Sequence, residues 1–176
     1  MKPQLRHVGI YVHDSDSMIR FYEEVLGLTV TDRGMSSSTK APITFMSSTP
    51  DQHHQFVLVH GRAKDAPSTV NQLSFKVDTL DDLRAVAAKV TARGIALRQT
   101  SHGNAWSVYF PDPEGNQVEI YLDTPWHVAQ PHGDPMDFSL SDAEIFAQTE
   151  AKVRADPTFK AKAAREVELE QILSAR

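Results

Sequence analysis

Apolar residues alternate over Val8, Ile10 and Val12 and again over Leu73, Phe75 and Val77, which predicts two strands that each bury one face. The opposite faces carry His7, Gly9 and Tyr11 in the first strand, and Gln72, Ser74 and Lys76 in the second. Each strand leads into an acidic or hydroxyl cap and a helical pattern. Asp14 to Ser17 open a helix that runs through Leu26, and Thr79 to Asp82 open another through Ala92. Gly27 and Gly94 end these helices, because glycine takes the left-handed conformation just past a helix C-terminus. Extended structure resumes at Leu28-Thr29-Val30 and at Ile95-Ala96-Leu97, and two more strands follow in each half. In the first half these are Ile43 to Met46 and His54 to His60, with His53 directed to the face opposite His54. In the second they are Trp106 to Phe110 and Gln117 to Leu122, a hairpin turned by Pro111-Asp112-Pro113-Glu114-Gly115-Asn116.

The chain therefore repeats one unit of strand, helix and three strands. The repeat is in register: a spacing of 65 residues carries Leu5–Val12 onto Val70–Val77, His7 onto Gln72 and His54 onto Glu119. Matched polar positions in two copies are hard to explain by packing alone, and they predict paired modules whose inward faces bring His7 to Gln72 and His54 to Glu119. One domain over residues 1–124 is expected, with module one at 4–60, a polar linker at 61–69 and module two at 70–124. An extension over 125–176 follows, opening on a Pro- and His-rich stretch. Ser141-Asp142-Ala143-Glu144 is a capping box for a helix to about Ala155, and Asp156-Pro157 signals the start of a second, charged helix.

Composition narrows the functional classes. A net charge of −5 gives no general attraction to nucleic acid or an anionic membrane, so neither is an expected partner. No cysteine is present, which removes disulfides and thiolate nucleophiles. No apolar run is long enough to span a bilayer, and the N-terminus lacks a signal-peptide apolar region, so a cytoplasmic protein is expected.

Two modules of this kind, with His7 at the first strand and Glu119 at the last, resemble the vicinal oxygen chelate superfamily of glyoxalases, extradiol dioxygenases, fosfomycin-resistance and bleomycin-binding proteins. The likeness covers about residues 4 to 123. Within it, Asp51-Gln52-His53-His54, Phe75 to Asp82, and Tyr109 ten residues before Glu119 are most similar to the catalytic module of type I extradiol dioxygenases. The resemblance implies an α+β fold in which two paired βαβββ modules form an open, incompletely closed β-barrel, here with a C-terminal helical tail. It implies a metal held by His7, Gln72 and Glu119, with His54 and Tyr109 acting on substrate and oxygen. It further implies a catechol-like aromatic substrate, molecular oxygen as co-substrate and a homodimer.

Two residues depart from the dioxygenase pattern. Gln72 stands where that family has a histidine, and Asn104 where a further histidine is common. Ferrous iron is the expected metal, since two neutral donors and one carboxylate leave adjacent positions for substrate and oxygen. The harder amide oxygen of Gln72 brings Mn, Ni and Zn into range, and with them a glyoxalase-like lyase or isomerase that needs no oxygen. A non-catalytic binder of an aromatic compound is the third reading. His54 is either a fourth ligand or a base, since imidazole titrates near neutrality. His13, His60, His102, His127 and His132 fall outside the matched positions and are assigned to the surface or a pocket rim, and Phe45, Trp106 and Tyr121 to packing.

Overall fold

The computed structural model describes residues 2–175. Its first half runs β1 (Val8–Val12), α1 (Ser15–Leu26), β2 (Thr29–Met35), β3 (Pro42–Ser47) and β4 (Phe56–His60). The second runs β5 (Leu73–Lys76), α2 (Leu80–Ala92), β6 (Arg98–Ser101), β7 (Ala105–Pro111) and β8 (Gln117–Asp123). The extension adds β9 (Trp126–His127), β10 (Asp134–Pro135), α3 (Asp142–Ala155), β11 (Lys160–Ala161) and α4 (Lys162–Ser174). The fold is mixed α+β, built on two βαβββ sheets, neither of them closed into a barrel, with a helical C-terminal region. The chain divides into two compact units. One comprises residues up to Asn71 with Pro111–Gln117; the other comprises Gln72–Phe110 with the residues from Val118 onward.

In the first unit the strand order is β1-β4-β3-β2, with β1 parallel to β4 and Val8 opposite Phe56. Asp14 caps α1 by accepting from the backbone N–H of Ser17 at 3.0 Å, and Gly27 ends it at φ 72°. The helix buries Met18, Ile19, Phe21, Tyr22 and Val25 over a core that includes Ile10, Val12, Met46, Phe56 and Leu58. The segment 111–117 is pinned by Asp112, which is 5% exposed. It accepts from Tyr22 Oη at 3.0 Å, from the N–H groups of Glu114 and Asn116 at 2.9 Å each, and from Asn116 Nδ2 at 2.7 Å. Burial still pushes its carboxyl above the ordinary range, and burial followed by the charge of Asp112 pushes the Tyr22 hydroxyl up as well. Glu114 accepts from the backbone N–H groups of His13 and Asp14 at 2.6 and 2.8 Å, and pairs with Arg62 at 3.1 Å.

In the second unit the order is β10-β6-β7-β8-β5, with β5 parallel to β8 and Leu73 opposite Val118. Thr79 caps α2, whose Leu80, Leu83 and Val90 are buried. The extension packs here: the indole N–H of Trp106 donates to Thr149 Oγ1 of α3 at 2.8 Å, and Ile145, Thr149 and Val153 are buried. The capping box forms as expected, with Ser141 and Glu144 bonded to each other's backbone. The second tail helix starts later than its sequence signal. Lys160 and Ala161 first pair with His127 and Trp126, so α4 begins at Lys162.

Three further expectations are corrected. The strand expected from Ile95 begins at Arg98. His53 and His54 precede β4 rather than opening it, so strand alternation does not separate their side chains. The 65-residue spacing holds for the first strand of each copy but not for the last. Glu119 lies opposite Ser74, and the equivalent place opposite Gly9 is held by Val57, not His54. The cause is the loop before the last strand, which spans residues 48–55 in one copy and the shorter 112–116 in the other.

Gly103 turns β6 into β7 at φ 73°, and a Cβ there would lie 2.5 Å from Val128 Cγ2 and 3.1 Å from Val153 Cγ1. Both the backbone and the space demand glycine. Gly103→Ala should therefore lower stability by about 1–3 kcal/mol, read as a lower urea midpoint with an unchanged slope.

Candidate active site

The second unit holds a cavity of about 700 Å³ whose lining includes Gln72, Ser74, His102, Tyr109, Glu119 and Tyr121. Glu119 is its centre of charge. Strand β8 places this carboxylate on the open sheet face, where it is 8% exposed. Neighbouring strands direct hydroxyl and amide donors at it. Oε1 accepts from Ser107 Oγ at 2.9 Å and from the Tyr109 hydroxyl in a short bond. Oε2 accepts from Ser74 Oγ at 2.6 Å and from Gln72 Nε2 at 3.1 Å. Ser107 and Tyr109 share a face of β7 by strand alternation, and Ser74 stands across the β5–β8 pairing from Glu119.

Tyr109 is held from three sides. Its hydroxyl meets Glu119, His102 Nε2 approaches the same oxygen at 2.7 Å, and Arg98 lies over the ring with Cζ 4.2 Å from the centroid. Burial, then the hydrogen bond and charge of Glu119, push the Tyr109 hydroxyl up to about 12. It keeps its proton throughout the neutral range. His102 is itself anchored, its Nδ1 lying 2.6 Å from the backbone oxygen of His132.

The first unit gathers the two histidines that the sequence singles out. The His7 and His54 ring centroids are 4.4 Å apart, Phe45 stands 5.0 Å from His54, and His53 Nδ1 lies 3.0 Å from His54 Nδ1. Burial, then the neighbouring His7 and His53, lower the pKa of His54, so the ring is neutral at neutral pH and free to accept a proton or a metal.

Of the residues expected to act, Gln72, Tyr109 and Glu119 are thus together in one unit, and His7 and His54 in the other. In kind they suit a divalent metal: imidazole nitrogens in one pair, amide and carboxylate oxygens in the other. Within neither unit do three or more His, Asp or Glu side chains of the described residues gather into a metal-holding cluster. His102, assigned to the surface or a pocket rim, lines the cavity and touches Tyr109 there. Nothing in the repeat marks it, because its position depends on the β6–β7 turn and on the extension. Ser107 was nameable from strand parity with Tyr109. Tyr121 lines the cavity instead of packing in the core, whereas Trp106 does pack, against α3.

Two βαβββ sheets in one chain define a class of small-molecule domains rather than one reaction. The model of the Glyoxalase/Bleomycin resistance protein/Dioxygenase superfamily matches residues 4–120, and the chain belongs to that family. It is 29% identical over 128 residues to biphenyl-2,3-diol 1,2-dioxygenase 3 of Rhodococcus globerulus, covering 69% of this chain and 64% of that protein. It is 28% identical over 142 residues to biphenyl-2,3-diol 1,2-dioxygenase of Metapseudomonas furukawaii, covering 74% and 45%. The chain spans less than two thirds of either dioxygenase. Among solved structures, a glyoxylase/bleomycin resistance protein/dioxygenase domain from Frankia sp. EAN1pec superposes with TM-score 0.61 at 23% identity, over 70% of this chain and all of that one. The fosfomycin resistance protein FosX of Listeria monocytogenes, solved with Mn(II) and sulfate, superposes with TM-score 0.55 at 14% identity, over 70% and 95%. At these identities the structures establish the fold alone.

Removing one donor from a buried carboxylate weakens its solvation. Ser107→Ala should lower stability by about 1–3 kcal/mol, measured by urea unfolding at neutral pH, because the hydroxyl is buried and its partner is charged.

Proposed function

We propose that this protein is a metal-dependent enzyme of the extradiol type, which opens the ring of a catechol-like aromatic with molecular oxygen. One observation carries the reading: Tyr109 and Gln72 both bond the buried Glu119 carboxylate on the wall of a single cavity. The likeness to two biphenyl-2,3-diol dioxygenases supports the substrate class. His7, Gln72 and Glu119 are the proposed ligands, and ferrous iron the proposed metal. When bound, such an ion supplies the Lewis acidity and redox chemistry that catechol cleavage requires.

The protein groups have separate tasks in this proposal. His54, neutral at neutral pH, accepts a hydroxyl proton from the substrate or serves as a further ligand. Tyr109, which keeps its proton, donates a hydrogen bond to a substrate oxygen as negative charge builds there. Gln72 and Ser74 orient the carboxylate of Glu119. A second reading, a glyoxalase-like lyase or isomerase working with Ni or Zn, draws on the amide of Gln72, a harder donor than imidazole. The protein is proposed to act as a homodimer, for which light scattering should give twice the chain mass.

Elemental analysis of protein purified without added metal should show iron. Anaerobic loading with ferrous iron and a catechol, followed by oxygen, should yield a yellow ring-fission product. Tyr109→Phe should lower kcat by roughly 100-fold, and Glu119→Ala should abolish both metal retention and turnover. Nickel or zinc with oxygen-independent turnover would transfer the assignment to the second reading. Unchanged ligand binding by a metal-free His7→Ala, Glu119→Ala variant would make the protein a binder instead.

A further inference from the structure

We propose that the C-terminal extension is a working part of the site: Gln130 and the His132 carbonyl fix the His102 ring so that only Nε2 is presented to the Tyr109 hydroxyl. This rests on the reading that the second-unit cavity is the active site. His102 and Gln130 are then positioning residues for Tyr109.

The family match ends at residue 120, yet Gln130, Pro131 and His132 line the cavity beside Tyr109 and Glu119. The side chain of Gln130 clamps two stretches of backbone. Its Nε2 donates to the carbonyl of His102 at 2.8 Å, and its Oε1 accepts from the N–H of His132 at 3.1 Å. A few residues on, β10 pairs with β6, placing Asp134 opposite Ser101, next to His102. The extension is thereby held on both sides of the His132 carbonyl. The missing side chain of Gly103 allows this close approach, since Val128 occupies the space a Cβ would need.

The consequence is chemical. A backbone carbonyl only accepts hydrogen bonds, so the 2.6 Å contact with His132 commits Nδ1 of His102 as an N–H donor. Nε2 is left to face the Tyr109 oxygen at 2.7 Å. The phenol has one proton and two neighbours, Glu119 and His102. A ring free to turn over would meet the Tyr109 oxygen as a donor or as an acceptor; held with hydrogen on Nδ1, it offers only the Nε2 lone pair, a second acceptor beside Glu119 for the one phenol proton. The extension removes that freedom.

Long-range proton–nitrogen NMR on the uniformly labelled full-length protein reads the protonated nitrogen directly, with His102→Gln used to assign the signal. The expected result is a protonated Nδ1 in the unaltered protein. Gln130 is an exposed residue, so Gln130→Ala spares the core; it should introduce the form with hydrogen on Nε2. In the catechol assay the same variant should lose about tenfold in kcat with KM within about twofold of the parent value. An unprotonated Nδ1 in the unaltered protein overturns the proposal, as does a Gln130→Ala protein with both the ring signal and the turnover of the parent. Absence of turnover in every form would count against the dioxygenase reading only, because the ring signal is read without activity.

Discussion

A carboxylate taken out of water must be surrounded by donors, and each unit of this protein is organised around one. Asp112 and Glu119 are 5% and 8% exposed, and each accepts four hydrogen bonds. Their donors differ in kind. Asp112 is bonded by two backbone N–H groups, which cannot leave without undoing the turn they belong to. Glu119 is bonded only by side chains, from Gln72, Ser74, Ser107 and Tyr109, each of which turns about its own torsions. The first carboxylate is therefore a fixed brace for the segment 111–117. The second is solvated in a way that a ligand can replace group by group, which suits it to function.

This constraint explains the residue choices on the sheet of the second unit. Buried strands are normally apolar, and Val108, Val118 and Ile120 fill the core as expected. The opposite parity is given to Ser107, Tyr109 and Glu119, whose polar atoms satisfy one another. Three buried polar groups on neighbouring strands would be costly separately; as a connected set they are stable and leave a polar cavity floor.

The repeat shows how far a sequence pattern reaches. Strand parity and helix caps are local, so Asp14, Gly27, Thr79 and the Ser141–Glu144 capping box were all legible in the chain and form as expected. Pairing across a sheet is not local. It is fixed by hydrogen bonding between distant strands and by the loops joining them, and the longer loop before β4 moves His54 away from the place that matches Glu119. Equal spacing in sequence thus identified the right strands but not the register of the last one.

The sequence by itself determined the order of elements within the two modules, the duplication, the family likeness and the strand parity of Tyr109 and Glu119, because these depend on periodicity and composition over short stretches. Only the tertiary structure decided that Gln72, Ser74, Ser107 and Tyr109 all converge on Glu119, that His53 and His54 touch each other ahead of their strand, and that His102 belongs to the cavity. The physical reason is the same throughout. A buried polar group takes its partners from wherever the fold delivers them, and for His102 that is a backbone carbonyl 30 residues along the chain.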